Sequence, residues 1–388
     1  MNGFPGAKKR LLIVGQHQFG YLTDSYAWCK YLCDLWSITY VGWDYASPRV
    51  GIDGVDVEYV SRAGSKPVRL ARLVRAAIRR LRDGKFDAVV IVYFQGVVLL
   101  RPWIDKRTTL LDVRTGSDKP GPLRRIFDNT LLRLEWFLFK ERTIISESLR
   151  KLLALPSKGC TILPLGGEPM SLPPKMFESL RLFYVGTLNY RSIHETVIGL
   201  DNWWRARKPD IDVTYDIVGS GSEEEQRALT SAIERSALGN RIRFHGRVPN
   251  AKLKPYLERC NVGVAYVPQV WFYDCQPSTK VFEYLLAGMP VIATRTTENA
   301  LVIDPANGVL IEDSPEGFAQ GVDEIYLRLK TYNSTAIRDA SEKYSWGDVV
   351  RNILAPRLEG LLPHPPPGLP SDGEAGVARH ADDLTLQL

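Results

Sequence analysis

The chain has 388 residues, 45% of them hydrophobic and 24% charged, with a formal net charge of +6. That size allows two α/β domains, each burying its own core, and the composition is that of a soluble globular protein. The five cysteines at 29, 33, 160, 260 and 275 read as reduced cytosolic thiols and not as a zinc knuckle, and neither a membrane-spanning run of ~18–20 apolar residues nor a signal-peptide core is expected.

The first strand, Arg10 to Gly15, ends in a glycine and leads through Gln16–Gly20 into a helix expected from Asp24 to Leu35. Strand, glycine turn and helix open a doubly wound domain. Gly15 and Gly20 are too far apart for a dinucleotide fingerprint. Ile38–Gly42 and Val55–Val60 follow as strands.

Residues 66–85 form an amphipathic helix. Val68, Ala71, Val74, Ala77, Ile78 and Leu81 are expected inward, with Arg69, Arg72, Arg75, Arg79, Arg80 and Arg82 opposite. Two readings stay open for this basic face: a solvated outer helix, or an electrostatic dock for anionic lipid headgroups, where each cation contributes ~1 kcal/mol. Nucleic acid is not expected, because no aromatic residues interleave the arginines to stack bases.

Ala88–Tyr93 and Thr109–Arg114 are apolar strands. Ligands of a parallel sheet sit beyond the carboxyl ends of its strands, so Asp112, Arg114 and Ser117 are candidate ligand contacts. A local salt bridge between Asp112 and Arg114 is the alternative. Leu123 to Arg142 reads as one long helix with Phe127, Leu131, Leu134, Phe137 and Leu138 in the core, a membrane wedge being the alternative. Cys160–Glu168 ends the first half, and residues 171–179, with Pro173 and Pro174, have linker composition.

The second half opens on Arg181–Thr187, a strand into a glycine turn, followed by Arg191 and a helix. Asp212–Val218 closes on Gly219-Ser220-Gly221. Asn261–Val267 is the strand before the most informative stretch, Asp274 to Thr294. There a polar loop with Pro277 meets a helix over Lys280–Ala287 capped by Ser278 or Thr279. Gly288-Met289-Pro290 stops that helix, and Val291–Thr294 is a buried strand. Lys280, in the first turn, opposes the helix dipole unless an anion lies there. Glu283, one turn on, can accept hydrogen bonds from sugar hydroxyls. An ordinary surface Lys/Glu pair is the alternative.

PSTKVFEYLLAGMPVIAT, residues 277–294, resembles the donor-site segment of GT-B glycosyltransferases of the retaining family-4 type, also called glycosyl transferases group 1. Glu283 matches the glutamate that holds the donor ribose. The acidic residue eight positions earlier in that signature falls on Cys275, and Asp274 is out of register. The resemblance implies an α/β GT-B fold, two Rossmann-like doubly wound domains facing each other across a cleft. It divides the chain into an acceptor domain (1–170), a donor domain (171–340), a C-terminal helix crossing back (341–362) and, by composition, a disordered tail (363–388).

The implied activity is retaining transfer of a sugar from a nucleotide-diphosphate sugar to a saccharide or lipid-linked acceptor, in cell-surface polysaccharide or glycan biosynthesis. Arg191 and Lys280 are the expected catalytic cations, balancing charge on the leaving diphosphate. Gly186, Thr187, Gly219, Ser278, Thr279 and Glu283 are the expected donor-binding residues. Gly20, Asp112 and Arg114 are the expected acceptor contacts. No metal and no other cofactor is expected, and the implied location is cytoplasmic, with an anionic membrane surface as a further partner. Two competing expectations remain: a GT-B epimerase or phosphorylase, and a catalytically idle GT-B scaffold serving as a partner or binding subunit, the latter kept open by Cys275.

Overall fold

The computed structural model describes residues 8–117, 119 and 121–362; the tail expected from 363 lies outside the described residues. Seven strands form the first sheet: β1 (Lys9–Val14), β2 (Trp36–Asp44), β3 (Val55–Ser61), β4 (Ala88–Val92), β5 (Thr109–Val113), β6 (Glu141–Ile144) and β7 (Cys160–Ile162). Their order is β3-β2-β1-β4-β5-β6-β7, all parallel. Six form the second: β8 (Leu180–Thr187), β9 (Val213–Ser220), β10 (Ile242–Phe244), β11 (Val262–Ala265), β12 (Val291–Thr294) and β13 (Gly308–Ile311). Their order is β10-β9-β8-β11-β12-β13, again parallel.

Both sheets therefore wind outward from a first strand, then reverse on its other side. The reversals fall between β1 and β4 and between β8 and β11, where crevices open at the carboxyl ends. The central strands are buried on both faces, as parallel strands covered by helices must be: Leu11–Val14 and Val291–Thr294 are all buried,.

Three helices of the first half depart from the sequence reading. Helix α1 (Thr23–Leu32) stops before Leu35, because Trp36 already belongs to β2 and is buried there. Helix α2 (Lys66–Asp83) keeps its length but buries Leu73, Val74, Ala76 and Ala77, leaving Val68 and Ala71 exposed. Its arginines are not all free: Arg79 and Arg80 pair with Glu58, and Arg80 also with Asp56 at 3.0 Å. Helix α3 (Pro122–Trp136) is shorter than expected, since Arg142 lies in β6.

The inward face of α3 is also not the expected one. Asp128, Leu132, Glu135 and Trp136 are buried, whereas Phe127, Leu134 and Phe137 are 62–64% exposed. Glu135 explains the inversion. Its carboxylate accepts from Tyr93 Oη at 2.9 Å, Gly96 N at 3.0 Å and Val98 N at 3.3 Å, so it satisfies loop amides that burial would otherwise orphan,. Burial raises its pKa above the ordinary carboxylate range.

After the second sheet the chain returns to the first. Gly167 and Ser345 pair as a bridge, with Gly167 N donating to Tyr344 O and Trp346 N to Gly167 O, both at 2.9 Å. Trp346, Val349, Val350, Leu354 and Leu358 then pack into the same cluster as Leu11, Ile13, Trp28 and Leu32. Arg357 adds an ion pair to Glu141.

Candidate donor and acceptor sites

A cavity of about 660 Å³ lies between the two domains and collects the loop before the helix Thr279–Leu286. Ser278, Thr279, Lys280 and Glu283 line it from one side, Arg191 from another, and Gly20, Lys30 and Glu168 from the first domain. The helix has no acidic residue in its first turn, and Ser278 makes no side-chain cap bond, so its leading amides remain available to an anion,. Lys280 Nζ sits 3.2 Å from Glu283 Oε2 in a half-exposed pair.

Arg191 is aimed with some strain. Its neighbours Tyr190 and Ser192 both hold positive φ, +58° and +50°, a region non-glycine residues adopt at a cost,. The guanidinium lies 3.8 Å from the ring centroid of Tyr273, and its buried Nη1 has no hydrogen-bond partner. A cation fixed on an aromatic face with an unsatisfied donor has a hydrogen bond to give to an anion. Tyr273 was not singled out in the sequence. The aromatic run Trp271-Phe272-Tyr273 ahead of Pro277 is the signal that could have raised it.

Other expected residues take supporting places. Gly186 lies beside Lys280, whose Cε is 3.8 Å from where a Cβ would stand. Thr187 is exposed and its Oγ1 accepts from Asn189 N at 3.2 Å. A Cβ on Gly219 would lie 2.1 Å from Gly186 O, so this glycine permits β8 and β9 to close together, and it lies outside the cavity lining. Gly20, at φ +88°, makes the turn that brings α1 to the cleft.

Asp112 and Arg114 are corrected. Asp112 is completely buried, with Oδ1 accepting from Thr143 Oγ1 at 2.7 Å and Oδ2 from Arg114 Nε at 2.7 Å. Arg114 also meets Asp24 at 3.2 Å and donates to Leu163 O at 2.7 Å. Burial pushes both carboxyls up against the opposing pull of the guanidinium. This is an internal salt-bridge cluster beneath the site, in which only the buried Arg114 Nη2 lacks a hydrogen-bond partner among these groups.

The segment carrying Cys275 bridges the domains. Cys275 is buried against the core of the first domain, and its carbonyl accepts from Ser146 Oγ at 2.7 Å. Gln276 Nε2 donates to Thr115 Oγ1 at 2.7 Å, and Arg125 lies over Trp271. Asp274 accepts from Thr297 N and Oγ1 at 2.8 and 2.7 Å, which holds its carboxylate on the loop after β12. Glu298, next along, is buried beside it, and burial raises its pKa. Among the described residues, no three His, Cys, Asp or Glu converge as a metal site, and no helix is long and apolar enough to cross a membrane.

The sequence profile of the family described as glycosyl transferases group 1 matches residues 179–327, the segment that carries β8 to β13. Over that segment the chain is similar to the group 1 glycosyltransferases. Solved structures extend the likeness to the whole GT-B fold. A glycosyltransferase from Rickettsia africae superposes with a TM-score of 0.67 at 13% identity, covering 92% of this chain and 99% of its own. Anabaena Alr3699/HepE in complex with UDP and glucose gives 0.65 at 14%, covering 90% and 99%. An E. coli protein described as trehalose-6-phosphate, bound with UDP-2-fluoro glucose, gives 0.67 at 11%, covering 90% and 99%. At these identities the likeness is one of fold. Among curated proteins, none matches the sequence.

Proposed function

We propose that the chain transfers a sugar, with retention, from a nucleoside diphosphate sugar to a saccharide or lipid-linked acceptor. The observation that carries this reading is the pairing of Arg191, with its unsatisfied Nη1, and Lys280 at a helix N-terminus on one cavity. In the reaction the acceptor oxygen bonds to the anomeric carbon, and the bond from that carbon to the diphosphate breaks. The diphosphate leaves with the bonding pair and takes the acceptor proton. Arg191 and Lys280 balance the charge that grows on it, and they do so without calling on a metal. Glu283 accepts from the ribose hydroxyls, and the amides behind Ser278 and Thr279 meet the phosphate. That HepE was solved with UDP supports a uridine nucleotide as the first donor to try.

Thermal shift against UDP, GDP, ADP and TDP, on wild type, Lys280→Ala and Glu283→Ala, tests the donor site. Ligand at ~100 times its dissociation constant adds roughly 2.7 kcal/mol of apparent stability. One nucleotide should raise the midpoint of wild type and lose most of that effect in both variants. Flat curves with all four would reject the reading.

The competing function, an idle scaffold, draws on Cys275 and Asp274: the first is buried at the domain contact and the second is tied to Thr297. Transfer from any nucleotide sugar that Lys280→Ala abolishes decides between the two. The reading sets the enzyme in the cytoplasm on the inner face of the plasma membrane, working on cell-surface polysaccharide. Its support is the outward face of α3, where Leu123, Ile126, Phe127, Leu134 and Phe137 are exposed among Arg124, Arg125 and Arg133,.

A further inference from the structure

A second cavity, also of about 660 Å³, opens in the first domain. It covers the carboxyl ends of β1, β2, β4 and β5, where the strand order reverses between β1 and β4,. Resting on the transfer reading above, we propose that this cavity holds the acceptor and that the acceptor carries an anionic group, a phosphate or a carboxylate, beside its sugar ring.

Charge is the first argument. Arg62, Lys66, Arg69 and Lys119 line the cavity against a single carboxylate, Asp128. That carboxylate is already engaged by Lys119 at 3.2 Å, Arg124 at 3.3 Å and Ser117 Oγ at 3.1 Å, and it titrates below the ordinary range although burial works against this. Three cations are left without an acidic counterpart in the wall. A site shaped for neutral hydroxyls would be expected to present carboxylates to them; this one presents donors.

The placement of those cations is the second argument. Lys66 and Arg69 occupy the first turn of α2, where no acidic residue stands and Ser65 makes no side-chain cap bond. Their charges add to the positive end of an 18-residue helix, an arrangement that an anion relieves,. Among the described residues Lys66 has no ion-pair partner. Arg62 is laid on Tyr45, 3.7 Å from the ring centroid, and its buried Nε has no hydrogen-bond partner. Beside it Trp43 turns an indole into the cavity wall, an apolar face of the kind that takes a sugar ring,.

Position is the third. Thr115 lines this cavity and Gln276 lines the cavity between the domains, and the hydrogen bond between their side chains, 2.7 Å long, makes the two cavities neighbours. A sugar seated against Trp43 with its anion on Arg62 and Lys66 is therefore next to the cavity that would hold the donor.

The test uses the full-length protein, wild type and the double variant Arg62→Gln/Lys66→Gln, saturated with UDP. Glucose 6-phosphate, glucuronate and glucose are titrated by calorimetry. Vesicles of phosphatidylcholine with and without phosphatidylinositol form a second arm by co-sedimentation. The expected result is binding of at least one anionic probe, weakened by roughly tenfold or more in the variant, with glucose binding no better to wild type than to the variant. Soluble sugar phosphate alone assigns the anion to a free acceptor; phosphatidylinositol vesicles alone, with the same loss in the variant, assign it to a lipid headgroup. Equal binding of glucose and its anionic relatives, survival of anion binding in the variant, or no binding of any anionic probe overturns the proposal. UDP titrated separately should bind both proteins equally. Loss of UDP binding by wild type would count against the donor site and leave the anion result to be judged by itself.

Discussion

Arg114 shows how one residue can look like part of a site and instead support it. Its guanidinium stands between Asp24 and Asp112, two carboxylates that are nearly or wholly buried, and it lies over Trp28. Removing one partner of a buried ion pair leaves an uncompensated charge and costs about 3–5 kcal/mol. Arg114→Met should lose stability on that scale in denaturant titration while UDP still shifts the melting midpoint of whatever remains folded. A loss under about 1 kcal/mol, with sugar transfer gone while UDP still binds, would make Arg114 an acceptor contact after all. The sequence left this pair open because spacing within a strand end does not reveal which carboxylate is covered. The place of Lys280 and Glu283 on the wall of the cavity between the domains was legible for the opposite reason. A cation in a first helical turn, behind a proline loop and ahead of a glycine stop, breaks a local preference, and such a break points to a ligand.

At the scale of elements, both sheets were largely readable, because buried parallel strands are continuous apolar runs such as Ala88–Val92 and Val291–Thr294,. Helix faces were not. In α3 the apolar stripe turned out to be the outer one, because Asp128 and Glu135 are drawn inward by loop amides and hydroxyls around the strand ends. Hydrophobic periodicity finds a stripe but does not say which side the core is on. That inversion carries a prediction. The outward face is broad and apolar, suited to the interface of a bilayer, whereas the outward side of α2 is arginine-rich and its Arg79 and Arg80 answer to Glu58. Phe127→Ser/Leu134→Ser should abolish sedimentation with phosphatidylglycerol vesicles and change stability by no more than about 0.5 kcal/mol, as exposed substitutions do. Sedimentation that survives this change and instead falls in Arg72→Gln/Arg75→Gln would move the dock to α2.

At the scale of the molecule, the returning C-terminal segment joins two halves that each have their own sheet. Trp346 is almost fully buried in the cluster built on β1, so Trp346→Ala should cost about 3–5 kcal/mol in chemical denaturation,. A cost below about 1 kcal/mol would mean that the segment only rests on the first domain. The seam where the chain passes between domains twice, Gly167 against Ser345, has a mechanical meaning. Two passages laced by backbone hydrogen bonds, with Trp346 buried beside them, tie the domains along one line. The contacts from Ser146 to Cys275 and from Thr115 to Gln276 then act as the catch. A nucleotide that enters or leaves by opening this joint has to release those two hydrogen bonds and draw Cys275 out of the first domain's core.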